Sequence, residues 1–314
     1  MTLAVSLILF FTSFLALAHS YMLYPLLLRL MAKGRRNNTL VFSRTDELPF
    51  VSVIMSLYNE ERVVERKLAT LLAQDYPVHK RRVYIGSDGS TDRTNALVEA
   101  FARNAQGFHF YPFAERRGKP GVINHLVELA LRAHPPGPGH VLLLTDASVM
   151  QNPEVTFHLA KHFRNPGIAV VDAFMMHTGL EEEGISRSED RYISTEVRLK
   201  YLESVVWRKM IGPFGGCYAL RSDHFSRVPV NFLVDDFYIT MKALEKGAMA
   251  INEPQARCYE PVSHEWREEY RRKARISAGN FQNMLHFRRL WWPPLSPLGF
   301  AFLSHKILRW CGPF

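Results

Sequence analysis

Hydrophobic positions divide the chain into two regimes. From Met1 to Leu28 no Asp, Glu, Lys or Arg interrupts the apolar residues, whereas from Val51 onward they come in short runs, each stopped by polar residues. The first run, Val51-Ser-Val-Ile-Met-Ser-Leu57, ends in Tyr58-Asn59-Glu60, and a second, Val83-Tyr-Ile-Gly86, ends in Ser87-Asp88-Gly89-Ser90-Thr91-Asp92. Between them Val63, Val64, Leu68, Leu71 and Leu72 recur at helical spacing. Strand, helix, strand is the unit of a parallel sheet. Both polar clusters then fall at the carboxyl ends of neighbouring strands, where open α/β sheets bind ligands.

The alternation continues. Leu97, Val98 and Phe101 mark a helix over 94–103, and Phe108 to Phe113 reads as a third strand. A basic loop, Arg116-Arg-Gly-Lys119-Pro-Gly121, precedes an apolar helix over 122–133. After a Pro/Gly break, His140 to Leu144 is a buried strand that ends in Thr145-Asp146-Ala147-Ser148. This βαβαβαβ order calls for a mostly parallel sheet covered by helices, an α/β fold. Beyond it, Ile168 to Met176 predicts a strand, Glu181 to Asp190 an acidic loop or mobile segment, and Tyr192 to Met210 a helix. A glycine-bearing stretch, Gly212 to Arg221, leads into another strand, and Asp235-Asp236 heads a helix that runs to about Lys246. Ala248 to Pro261 reads as strand and turn, and His264 to Met284 as a strongly basic helix containing Arg272 and Arg275.

Residues 1–30 are long enough, at about 1.5 Å per helical residue, to cross a hydrocarbon core about 30 Å thick. Arg29, Lys33, Arg35 and Arg36 follow, so the positive-inside rule places this end in the cytoplasm and the N-terminus outside. A cleaved signal peptide fits less well, because no positive charge precedes the apolar run and the run resumes over Met22 to Leu30. The expected organisation is a transmembrane helix (1–30), a cytoplasmic linker (31–49), a soluble α/β domain (50–285) and a membrane-proximal segment (286–314). In that last segment aromatics mixed with His305, Lys306 and Arg309 suggest an interfacial helix at the bilayer surface, with a C-terminal helix docked on the core as the other reading.

Net charge is +9, but no helix-turn-helix, zinc-finger or RNA-binding signature is present, and the basic residues cluster beside the membrane-like segments. That favours membrane lipids or a phosphorylated ligand over nucleic acid. The three cysteines, Cys217, Cys258 and Cys311, form neither a disulfide framework nor a metal-ligand spacing. Carboxylates at strand ends, Asp88 and Asp146 above all, suit Mg²⁺ or Mn²⁺ and an activated nucleotide. The Arg116–Lys119 loop could neutralise a diphosphate. Neither a P-loop nor a Gly-x-Gly-x-x-Gly fingerprint follows the first strand.

Several motifs in this order resemble the inverting family-2 glycosyltransferases with a GT-A fold, specifically their membrane-anchored, polysaccharide-synthase-like branch. Val53 to Glu60 resembles that family's opening strand. Ser87-Asp88-Gly-Ser-Thr-Asp92 is similar to its Asp-Asp-Gly-Ser-Thr-Asp motif, with serine in place of the first Asp. Arg117-Gly118-Lys119 with Asn124 resembles its Gly-Lys helix start, Phe214 to Arg221 the segment before the acceptor site, and Val234-Asp235-Asp236 its acidic pair. The match departs twice. Asp-x-Asp becomes Asp146-Ala147-Ser148, which implies weaker cation binding or more reliance on donor phosphates. Gln-x-x-Arg-Trp becomes Arg272-Lys-Ala-Arg275-Ile276, which lacks the tryptophan of processive members.

The resemblance implies a membrane-bound transferase that moves a sugar from a UDP- or GDP-sugar to a glycan or lipid-linked acceptor in cell-surface or exopolysaccharide synthesis, at the cell (inner or plasma) membrane with its catalytic domain in the cytoplasm. It implies donor binding by Tyr58, Asn59, Glu60, Asp88, Gly89, Asp92, Lys119 and Asp146, and a cation on Asp146 and Ser148. Asp236 would be the general base, with Asp235 next in line, and Arg272 and Arg275 would hold diphosphate or acceptor. A non-catalytic nucleotide-sugar-binding subunit of a membrane glycan assembly is the alternative. Similar proteins continue into further transmembrane helices near Trp310, so this chain is expected to stop short of them.

Overall fold

The computed structural model describes residues 2–178, 185–261 and 266–312. Part of the acidic Glu181–Asp190 stretch and the expected helix start at His264 lie outside those residues; from Ile185 the backbone is already helical. The strands are β1 (Phe50–Leu57), β2 (Arg81–Asp88), β3 (Phe108–Phe113), β4 (His140–Thr145), β5 (Met150–Gln151), β6 (Ile168–Thr178), β7 (Cys217–Arg221) and β8 (Met249–Pro261). The helices are α1 (Thr2–Ala18), α2 (Tyr24–Ala32), α3 (Val64–Leu72), α4 (Thr94–Ala102), α5 (Gly118–Ala133), α6 (Val155–Ala160), α7 (Ile185–Val206), α8 (Asp235–Glu245) and α9 (Trp266–His286). Short helices α10 (Arg288–Trp291), α11 (Pro297–Phe302) and α12 (Leu308–Cys311) follow.

One eight-stranded sheet, ordered β3-β2-β1-β4-β7-β6-β8-β5, carries the domain. β3, β2, β1 and β4 are parallel, as the βα repeats dictate. β7 enters antiparallel between β4 and β6, and β8 runs parallel to β6. Strands β4, β6 and β8 therefore point the same way. Their carboxyl ends, with those of β1 and β2, share one edge, and β7 begins at that edge beside Thr145.

Residues alternate between the two faces with the strand period of two. Val51, Val53, Met55 and Leu57 pack with Val64, Leu68 and Leu71 of α3 and Val98 of α4. Ile54, Leu142 and Leu144 face the other layer with Val122 and Leu126 of α5 and Ile239 of α8. Full burial of each such side chain contributes about 1.5–3 kcal/mol, so this two-sided core outweighs local propensity in fixing the sheet.

Leu3–Ala32 is one apolar run long enough to cross a membrane, and α1 stands outside the core with its large side chains exposed. Only its lower part is docked. Tyr24 and Leu28 are fully buried, and Tyr24 Oη donates to Glu203 Oε1 at 2.9 Å. His305 bridges Glu203 and Glu196, each at 2.9 Å, and Arg309 pairs with Glu196 while donating to the Ser20 carbonyl at 3.1 Å. The segment after α9 thus turns Phe287, Phe302 and Ile307 into the core and leaves Trp292 and Leu295 exposed. Residues 37–49, expected as a linker, lie against the domain. Phe42 N–H donates to the Lys161 carbonyl at 2.8 Å, and Arg44 pairs with Asp75 and Glu154.

Candidate active site

The polar ends of β1 and β2 are knitted together. Asn59 sits at φ +53°, a left-handed conformation that asparagine tolerates better than most residues. Its N–H donates to Ser90 Oγ at 3.1 Å, and its Oδ1 accepts the Thr91 N–H at 2.9 Å. Asp92 accepts the N–H groups of Thr94, at 3.0 Å, and Glu61, at 3.1 Å. These bonds leave Glu60 half-buried at the edge. Burial, then the charges of Asp146 and Asp92, push its carboxyl up to about 7.

Asp88 departs from expectation. It is almost wholly buried, and its oxygens accept the backbone N–H groups of Arg117, at 2.6 Å, and Gly118, at 3.1 Å. Carboxylates favour a helix N-terminus, so Asp88 holds the start of α5. Gly89, at φ +66°, makes the turn beside it, and a Cβ there would press on Arg116. The Arg116 guanidinium lies 3.7 Å above the Tyr58 ring and 3.7 Å from Asp88.

By fixing α5, Asp88 aims Lys119 at the edge. Lys119 Nζ donates to Asp146 Oδ1 at 2.8 Å and stands 3.6 Å from Asp235 Oδ1. Burial would lower this ammonium's pKa, but Asp146 and Asp235 outweigh it and hold the group charged. Residues 119, 146 and 235 come from three separate elements, and one cation joins them. Asp236 follows, half-buried, in the first turn of α8. Burial first, then the neighbouring Asp235, push its carboxyl up to about 6 against the pull of Lys119.

Gly215, at φ +96°, lies directly against the Asp236 carboxylate, where any Cβ would overlap it. The next carbonyl, of Gly216, accepts the N–H of Asp146 at 3.0 Å and Thr145 Oγ1 at 3.1 Å. Buried Asp172 accepts the Phe214 N–H at 3.2 Å and so fixes this loop from behind. Beneath Asp146, fully buried Lys67 donates to Thr145 Oγ1 at 2.7 Å and to the Val149 carbonyl. Burial brings its pKa down to about 8. Gly215, Asp172 and Lys67 were not picked out from the sequence; only the Gly-Gly pair before β7 offered a signal.

The two arginines project from α9. Arg275 Nη1 donates to the Leu233 carbonyl at 2.9 Å and ties α9 to the loop that presents Asp235. Arg272 lies 3.7 Å from both Glu260 and Glu269. The Ser148 hydroxyl donates to Glu260 Oε1 at 3.2 Å. Both ring nitrogens of His177, opposite Glu260 in the strand register, are buried without a partner among the described residues. The Glu260 carboxylate and the Ser148 hydroxyl, two residues beyond Asp146, are oxygen donors that fit a divalent cation. Among the described residues no three His, Cys, Asp or Glu side chains form a ready-made cage, which suits a cation completed by a ligand's phosphates and water.

A parallel sheet joined to antiparallel strands, with a basic helix start and carboxylates converging where the strands end, defines a GT-A-type glycosyltransferase. The chain belongs to glycosyl transferase family 2: residues 52–228 match that family. Its fold is similar to that of the mannosyltransferase PcManGT from Pyrobaculum calidifontis, solved with GDP-Man and Mn²⁺. The TM-score is 0.69 at 21% identity, over 96% of this chain and 81% of that one. A Nostoc beta-monoglucosyldiacylglycerol synthase is 25% identical over 126 residues, 40% of this chain and 25% of that protein. An N-acetylglucosaminyltransferase of Rhizobium leguminosarum is 27% identical over 148 residues, 46% and 33% of the two chains. The matched stretches span a quarter to a third of those curated relatives.

Proposed function

We propose that the chain is an inverting, membrane-anchored glycosyltransferase that takes a UDP- or GDP-sugar and passes the sugar to a glycan or lipid-linked acceptor on the cytoplasmic side of the cell membrane. The observation that carries the reading is the Lys119 ammonium set between Asp146 and Asp235, with Asp236 in the next position of the same helix turn. The Nostoc relative is named for a glucosylated diacylglycerol product, the Rhizobium relative for N-acetylglucosaminyl transfer, and the Pyrobaculum structure holds GDP-Man with Mn²⁺.

In this mechanism Lys119 leaves Asp146 for the donor diphosphate, with the basic Arg116–Arg117 loop beside it. Asp146 and Ser148 would hold a divalent cation, which would neutralise charge on the departing diphosphate. Asp236, ionised, accepts the proton of the acceptor hydroxyl as that oxygen attacks the anomeric carbon from the face opposite the diphosphate. The configuration inverts, and no second protein acid is required. Its raised pKa places it near the operating pH, where a base balances basicity against availability. The apolar α1 supports the membrane reading, since its large side chains are exposed along most of its length. Arg29, Lys33, Arg35 and Arg36 at its end support the cytoplasmic orientation.

The test is donor turnover by the detergent-solubilised chain with Mn²⁺ and a panel of UDP- and GDP-sugars. Release of nucleoside diphosphate by the wild type and its loss in Asp236→Asn is the expected result. Equal silence of both proteins across the panel, with nucleotide still bound, would return the chain to the non-catalytic binding role.

A further inference from the structure

Ser148 stands two residues beyond Asp146 at the end of β4 and brings a hydroxyl, not a carboxylate, to the edge. A carboxylate is nevertheless there. Glu260, near the end of β8, accepts the Ser148 hydroxyl on Oε1 at 3.2 Å, and its side chain is only 13% exposed. It reaches this position because β8 runs in the direction of β6 and β4, so all three strands end on the same side. Its register partner is His177, whose two ring nitrogens are buried and unclaimed among the described residues. Asp146, meanwhile, already shares its charge with Lys119 at 2.8 Å. One carboxylate half-neutralised by an ammonium is a poor host for a doubly charged ion. Two carboxylates and a hydroxyl, completed by a ligand's phosphates and water, are a better one.

We propose that Glu260 supplies the second protein carboxylate of the cation site, reaching from β8 to the position where Ser148 contributes only a hydroxyl. The inference rests on the metal-assisted reading above. Arg272 is the built-in competitor. It lies 3.7 Å from Glu260 Oε2 and equally 3.7 Å from Glu269, so it can keep a partner when Glu260 turns to the cation. The site is then guarded by two protein cations, Lys119 at Asp146 and Arg272 at Glu260. An arriving divalent ion displaces both toward groups that can still pair with them.

The experiment is titration of the detergent-solubilised full chain with Mn²⁺, reading free Mn²⁺ by electron paramagnetic resonance, with and without UDP or GDP and with no sugar present. Glu260→Gln is expected to weaken Mn²⁺ binding by about tenfold or more, the scale of losing a ligand-sphere carboxylate. Arg272→Met is expected to tighten it, and Ser148→Asp combined with Glu260→Gln to recover binding to within about threefold of wild type, because the carboxylate is then restored from the other side. A folded Glu260→Gln that titrates like wild type overturns the proposal. So does a double variant that stays as weak as the single one, which would reduce Glu260 to an anchor for Arg272. Absence of Mn²⁺ binding by the wild type under both conditions overturns it as well. Because no sugar is transferred in this measurement, Mn²⁺ held through Glu260 in a protein without transferase activity would sink the enzymatic reading alone.

Discussion

Gly215 leaves the Asp236 carboxylate no room for a neighbouring methyl group: a Cβ built on this glycine would overlap the carboxylate, and the backbone there has φ +96°. The proposed base is therefore positioned by an absence of side chain as much as by its own helix. Gly215→Ala is expected to push Asp236 from its place and to strain the backbone. Since misplacement by about 1 Å can cost roughly 100-fold, kcat should fall by about that factor while nucleotide affinity changes little. Steady-state kinetics beside a nucleotide-binding isotherm would separate the two. An alanine variant with wild-type kcat would remove Gly215 from this role.

Lys119 joins Asp146 to Asp235 and, in the proposed mechanism, moves to the donor diphosphate. A charge-assisted hydrogen bond is worth about 1.5–3 kcal/mol, so Lys119→Met should weaken UDP or GDP binding by roughly tenfold or more. Calorimetry with the bare nucleoside diphosphate is the direct check. Unchanged affinity would leave Lys119 a purely structural clasp.

The carboxyl of Asp236 is raised to about 6, by burial and then by Asp235. As a general base it must be ionised, so kcat/KM is expected to fall about tenfold per pH unit below that value. For stability the sign follows from proton uptake. The folded state holds a proton on Asp236 that the unfolded chain, with an ordinary carboxyl, has released, so this group's contribution is fully present below the ordinary carboxyl value of 3.8 and is lost as pH rises through about 6. Asp236→Asn should thus gain about 1 kcal/mol or more over wild type at pH 8 and nothing near pH 4. Denaturant melts at both pH values would read the difference, and equal midpoints at pH 8 would count against the raised pKa.

Leu28 is fully buried where α2 meets the domain, one turn from Tyr24 and its bond to Glu203. Leu28→Ala is expected to destabilise the domain by about 2–5 kcal/mol, the usual cost of such a cavity. Protease cleavage after residue 32 should accelerate with it. The outward residues of α1, such as Phe10, should tolerate alanine without any change in melting temperature. Equal melting temperatures for Leu28→Ala and wild type would mean that the helix is not docked.

Much of this molecule is legible along the chain. The β1-α3-β2 unit, the basic start of α5 and the Asp146 turn each lie within one run of residues, and the period of apolar positions exposes them. Asp88 shows where legibility stops. Its place at a strand end could be read, but its use could not. The backbone N–H groups of Arg117 and Gly118 that occupy it lie about thirty residues away, brought near only by the crossover through β3. The loss of the second carboxylate at Ser148 was equally plain, and Glu260 across from it was not.

By itself, then, the sequence determined an apolar anchor-length helix, the strand-and-helix order of an α/β domain and the carboxylates that end its strands, because these are periodic patterns within short stretches. The tertiary structure decided which carboxylates meet. β7 enters antiparallel between β4 and β6, which sets Gly215 against Asp236 and turns the end of β8 to the same edge as Asp146. Distances between residues 119, 146, 235 and 260 depend on that strand order and on the packing of α5 and α8 over it. Spacing along the chain carries no record of either.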